Sequence, residues 1–132
     1  MDRARERLSI AARALSGLRE LAVLPEPTAV ERDAAIQRFE YSFEATWKAA
    51  QRFLYAFEGV DAGSPKACVR AAREASLLTD GDAAAALAMA DDRNLTAHTY
   101  DEALAKLIFS RLARHLSLME RWQAAMSRRA GV

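Results

Sequence analysis

Apolar residues recur at spacings of three and four along nearly the whole chain, and no stretch alternates with the period of two that a half-buried strand requires. Leu8, Ala11, Leu15, Leu18 and Ala22 draw one stripe, which predicts a first helix near residues 2–23. Pro25 and Pro27 end it, because neither donates a backbone hydrogen bond and each disfavours helix in its predecessor. Thr28-Ala-Val-Glu31 has the form of a capping box and opens a second helix. Its stripe, Ile36, Phe39, Phe43, Trp47, Ala50, Leu54 and Phe57, is sustained over about six turns and is the longest apolar face in the chain. Tyr41, Phe53 and Tyr55 fall off that stripe, so either a wider core contact or a subunit interface must cover them.

Gly59 to Gly63 reads as a turn, and Ser64-Pro65 supplies an N-cap and a proline at the first helical position of a short helix to about Leu78. Thr79-Asp80-Gly81 interrupts again. A fourth, alanine-rich helix is expected from Asp82 to near Ala97, with Leu87 and Met89 its only large apolar residues before Leu95. A second capping-box pattern, Thr99-Tyr-Asp-Glu102, predicts a fifth helix to about Met126, with Leu104, Ile108, Leu112, His115 or Leu116, Met119 and Trp122 on its face. The expected fold is all-α, an antiparallel four-helix bundle with one additional short helix, in a single domain over residues 1–132.

Composition narrows the functional classes. The chain is 52% hydrophobic and 28% charged, a balance that folds rather than stays disordered. A net charge of +1 supplies no global pull toward nucleic acid or membrane. Sixteen Arg stand against three Lys, which suits bidentate contact with phosphate or carboxylate but also follows from genomic composition. Arg3, Arg5, Arg7, Arg13 and Arg19 decorate the first helix as a solvated face or a phosphate site. The single cysteine, Cys68, excludes an internal disulfide, fits a reducing compartment and reads as a buried structural thiol. No apolar run approaches the ~18 residues of a membrane span, and the N-terminal residues lack a signal-peptide pattern, so the expected location is the cytoplasm. No metal site or cofactor is expected, since no His, Cys and carboxylate set has ligand spacing and no glycine-rich phosphate loop occurs. Asp91 and Asp92 read as solvated charge, and no conspicuous basic groove is evident.

Chemistry concentrates in Asp91–Glu102, which holds Arg93, Tyr100 and His98, one of only two histidines. On one unbroken helix Arg93 and His98 would point about 140° apart. A break at Thr99 instead places His98 at a corner, with Arg93 on the last turn before it and Tyr100 on the first turn after it. Unpaired backbone N–H groups at such a corner favour an anion. Two mechanisms use these parts. In metal-free RNA cleavage His98 moves a proton and Arg93 stabilises charge on phosphorus, with two copies across a two-fold axis supplying both proton transfers. In nucleotide binding or group acceptance, Arg93 holds phosphate and the Tyr100 hydroxyl is the acceptor. A purely structural alternative pairs Arg93 with Asp91, Asp92 or Asp101 and leaves His98 to cap the fourth helix.

The segment R-N-L-T-A-H-T-Y-D-E, Arg93 to Glu102, resembles the signature of the HEPN superfamily, nearest to its branch of nucleotidyltransferase substrate-binding proteins related to HepT toxins. The likeness extends to R-F-E-Y-S-F-E-A-T-W-K, Arg38 to Lys48, and to the turns at Ser64 and Asp80, and so covers roughly residues 30–110. It implies a helical homodimer whose R-x4-H-x-Y segments face a shared cleft, and a separate MNT-type minimal nucleotidyltransferase as partner. In the HepT-like branch, the resemblance implies a metal-independent ribonuclease toxin with Arg93 and His98 as catalytic pair. There the partner is an antitoxin that transfers AMP to the tyrosine matching Tyr100. Asn94 matches the polar position after the arginine, and Arg93, Asn94, His98 and Tyr100 together become the nucleotide or RNA contacts. In the substrate-binding branch, the helical subunit presents substrate to the transferase.

Overall fold

The computed structural model describes residues 2–132. Five α-helices follow one another, α1 (Asp2–Ala22), α2 (Ala29–Glu58), α3 (Pro65–Glu74), α4 (Asp80–Leu95) and α5 (Glu102–Ala130), with a 3₁₀ turn at Thr96–His98 between the last two. The all-α expectation holds. Helices α1, α2 and α5 form the body of the core, and α3 and α4 complete it against α2 and α5. Bonds between helices give the directions. Arg38 of α2 donates to the Gly17 carbonyl at 2.7 Å, and Ser42 to the Ala14 carbonyl at 3.1 Å, so α1 and α2 are antiparallel. Asp82 meets Arg121 and Asp92 meets Arg111, so α4 and α5 are antiparallel too.

The stripes read from the sequence are the buried faces. Leu8, Ala11, Leu15 and Leu18 of α1 meet Phe39, Phe53 and Leu54 of α2 and Ile108, Leu112, Met119 and Trp122 of α5. Each large side chain fully buried in this way contributes roughly 1.5–3 kcal/mol. Of the three aromatics off the α2 stripe, Phe53 takes the wider core contact. It is 0% exposed and stacks on Phe57 with ring centroids 4.8 Å apart, because α2 is covered on more than one side. Tyr41 and Tyr55 remain 60% and 67% exposed within the chain.

Helix boundaries show which local signals won. The Thr28 capping box forms in full, with Glu31 N–H donating to Thr28 Oγ1 at 3.1 Å and Thr28 N–H to Glu31 Oε1 at 2.8 Å. Ser64 caps α3 as expected. That helix stops four residues short of Leu78, because Ser76 turns left-handed at φ 62° and the Leu77 N–H returns to the Ala72 carbonyl at 2.9 Å. The reversal buries Leu77 and Leu78. Helix α4 begins earlier than expected, since Thr79 acts as its N-cap by accepting from Asp82 N–H, and Gly81 lies inside the first turn. The capping box expected at Thr99 does not form. Asp101 caps α5 by accepting from Leu104 N–H at 3.1 Å, while Glu102 pairs with Lys106 at 3.0 Å. A carboxylate nearer the apolar run outcompetes the hydroxyl, and Thr99 donates instead to the Thr96 carbonyl at 3.0 Å.

Candidate functional site

The α4–α5 corner is built by Thr96. Its hydroxyl donates to the Arg93 carbonyl at 2.7 Å and accepts from the Arg93 guanidinium at 3.1 Å, which ends α4 and pins the arginine in one step. The 3₁₀ turn then carries His98 outward, and Asp101 N–H closes on the His98 carbonyl at 3.1 Å. His98 is exposed, and its ring meets that of Tyr100 edge-on at 6.0 Å between centroids. Tyr100 is 86% exposed. It lies in the turn before α5 rather than on that helix's first turn, a consequence of the later cap.

Arg93 faces a different neighbour. Its guanidinium lies 3.7 Å from Glu40 and 3.9 Å from Glu44, both on α2, and not beside Asp91, Asp92 or Asp101. Glu44 is itself oriented by the Trp47 indole, which donates to it at 3.2 Å. No hydrogen bond or ion pair joins Arg93 to His98 among the described residues. Asn94 lines a separate pocket of 240 Å³ with Phe43, Ser64 and Lys66. Of the four motif residues, then, the fold brings His98 and Tyr100 into contact, holds Arg93 one turn earlier against α2, and turns Asn94 toward the start of α3.

One residue before Arg93, Asp92 is 5% exposed, which corrects its reading as solvated charge. Asp91 does remain at the surface, paired with Lys66 at 2.7 Å. Asp92 accepts from Arg111 at 2.8 Å through one oxygen and meets His115 Nε2 at 2.8 Å through the other. His115 stacks on Phe39 at 5.4 Å. Burial holds its imidazole below the ordinary histidine pKa, Asp92 offsets part of that, and Arg114 and Arg111 push the same way as burial. The sequence carried a signal for this cluster, since an imidazole on the apolar stripe of α5 needs a buried partner. Cys68 behaves as expected of a structural thiol, because burial pushes its pKa up to about 11.

The family described as nucleotidyltransferase substrate binding protein like matches residues 6–128. The chain belongs to this family. A protein of known structure from Thermus thermophilus is 54% identical, with a TM-score of 0.86 over 88% of this chain and 98% of that one. A Haemophilus influenzae protein, whose structure is described as revealing the fold of a substrate-binding domain of a nucleotidyltransferase, is 24% identical, with a TM-score of 0.75 over 90% of this chain and 98% of that one. A mutant of the toxin–antitoxin pair MntA–HpeT contains a chain 15% identical, with a TM-score of 0.79 over 96% of this chain and 98% of that one. Both of these share the fold. Among curated proteins none matched. No helix among the described residues is long and apolar enough to cross a membrane.

Proposed function

We propose that the Arg93–Tyr100 corner is the working site of a helical protein that acts with a separate nucleotidyltransferase of the MNT type, and that Tyr100 is the group-acceptor. Membership of a family of nucleotidyltransferase substrate-binding proteins makes this chain the helical counterpart of such an enzyme. The observation that carries the residue assignment is the placement of Tyr100, 86% exposed on a turn fixed at both ends by Thr96 and Asp101. A phenol presented in that way reaches another protein's active site without unfolding anything. In the transfer, the Tyr100 oxygen forms a bond to the α-phosphorus of ATP, pyrophosphate leaves, and the phenolic proton passes to a base of the transferase or to solvent. His98, packed edge-on against the ring, restricts the phenol's orientation.

Incubation with the cognate transferase and ATP is expected to add one adenylate to the chain by mass spectrometry. Tyr100→Phe should remain unlabelled; equal labelling of that variant sinks the assignment. The toxin–antitoxin fold relative supports placing the two proteins as such a pair.

A second reading, a metal-independent ribonuclease with Arg93 and His98 as its catalytic pair, draws on the exposure of His98. One histidine cannot easily serve as both acid and base, so this reading requires a homodimer with two corners facing one cleft. The exposed Tyr41 and Tyr55 on α2 leave a face for a second copy. Growth arrest by the wild type expressed without its partner, relieved by His98→Ala, supports the ribonuclease. Harmless expression of both favours substrate presentation alone. Sedimentation showing a monomer at micromolar concentration rules out the shared cleft.

A further inference from the structure

A second concave surface lies between α4 and α5, on a different face of α4 from the Glu40 and Glu44 contacts, and it is lined by arginine although the sequence showed no conspicuous basic groove. Its volume is 580 Å³, within the range of about 300–1,000 Å³ typical of small-molecule sites. The groove exists because α4 is rich in alanine. Ala85 and Ala88, one turn apart, present only methyl groups toward α5, where Leu118 supplies the facing apolar surface. Asp92 and His115, both more than nine-tenths buried, line the same space, and Asp92 holds both His115 and Arg111.

The charges around it are unequal. Arg111 commits one nitrogen to Asp92 and keeps the rest of its guanidinium fork without a partner among the described residues. Arg114, one turn on along α5, is exposed and has no carboxylate partner there either. Arg121 closes the far end, already held bidentately by Asp82 at 3.0 and 3.2 Å. A larger hollow of 810 Å³ beyond that end is lined by Asp80, Asp82 and Glu120, which cancel its cations. The α4–α5 groove therefore keeps two available guanidinium groups beside a small apolar floor of Ala85 and Ala88.

We infer that this groove binds a small phosphorylated molecule of nucleotide size, with the phosphate on Arg111 and Arg114 and the flat part across Ala85, Ala88 and Leu118. Two guanidinium groups along one helix face match the oxygens of a phosphate monoester, and the alanine floor accepts a planar ring. The site is independent of the Tyr100 assignment, since Arg93 faces α2 while Asp92 faces α5.

Isotope-labelled full chain titrated with AMP tests it by amide chemical shift. The expected result is perturbation at residues 85, 88 and 118, with affinity reduced at least tenfold by Arg114→Ala. Ala88→Leu, a good helix former at an exposed position, should fill the floor and abolish AMP binding while leaving the charges in place. Adenosine and inorganic phosphate should each bind at least tenfold more weakly than AMP. Phosphate binding as tightly as AMP overturns the nucleotide-sized ligand. Perturbations confined to residues 93–100, or unchanged affinity in both variants, overturn the site.

Discussion

Asp92 and Arg93 are consecutive, carry opposite charges, and sit in environments that differ in nearly every respect. The Asp92 carboxylate is 8% exposed and both of its oxygens are taken, by Arg111 and by His115. The Arg93 guanidinium is 27% exposed and meets two half-exposed carboxylates at distances of 3.7 and 3.9 Å. A step of about 100° around α4 separates a group that fastens helices from one that stays available to exchange partners. The lesson concerns how a short polar motif on a helix is divided. Its inward member is judged by what its loss does to folding, its outward members by what their loss does to binding.

Asp92→Ala tests the inward side and carries the largest expected effect. It leaves His115 and Arg111 without their acceptor, and breaking a buried pair costs about 3 kcal/mol, at the low end of the usual range because Arg111 is 34% exposed. In urea unfolding the midpoint should fall accordingly, with Tm lower by roughly 10 °C. Arg93→Ala, by contrast, should cost ~1 kcal/mol or less, as partly exposed ion pairs do. Equal losses from the two substitutions would erase the distinction between them.

The pH dependence sharpens the same contrast. Burial lowers the folded-state pKa of His115 below the ordinary value of 6.5, and Asp92 only partly offsets this. The unfolded chain therefore binds the proton more readily than the folded one. Stability is complete above pH 6.5 and declines as pH falls below it, until the folded-state pKa is passed. The slope contributed by one such group cannot exceed about 1.4 kcal/mol per pH unit. Urea midpoints measured from pH 7.5 to 5 should show the decline in the wild type and a flatter profile in His115→Gln. A wild-type profile that rises on acidification would mean that the Asp92 contact outweighs burial.

Repeating apolar positions made the helices legible, because a 3.6-residue period over 20 or 30 residues has few alternative explanations. The corner was legible in part. Its location followed from Thr99 and the polar run around it, yet its cap was misplaced by two residues because the Thr99-to-Glu102 spacing has the form of a capping box while Asp101 supplies the cap. Which carboxylate meets Arg93 was not legible, since Glu40 and Glu44 lie some 50 residues away and approach only through the packing of α2 on α4. The Asp92–His115 contact was hidden for the same reason, although a histidine on an apolar stripe announces that a partner exists. The cap itself is open to measurement. Asp101→Ala should cost about 1 kcal/mol and Thr99→Ala clearly less, read by thermal unfolding, whereas the reverse order would restore Thr99 as the cap.

The smallest expected effect on folding belongs to the residues proposed to matter most for function. His98 and Tyr100 are exposed and touch chiefly each other, so His98→Ala and Tyr100→Phe should each change unfolding free energy by less than about 0.5 kcal/mol. Replacing the phenol with a phenyl ring keeps the edge-on ring contact and removes only the hydroxyl, for which no partner is seen among the described residues. If Tyr100→Phe left stability and partner-dependent modification both unchanged, the exposed phenol would have no role in the transfer. If it destabilised the chain by 2 kcal/mol or more, the hydroxyl would be part of the scaffold, and the division between Asp92 and the corner would fail from its other side.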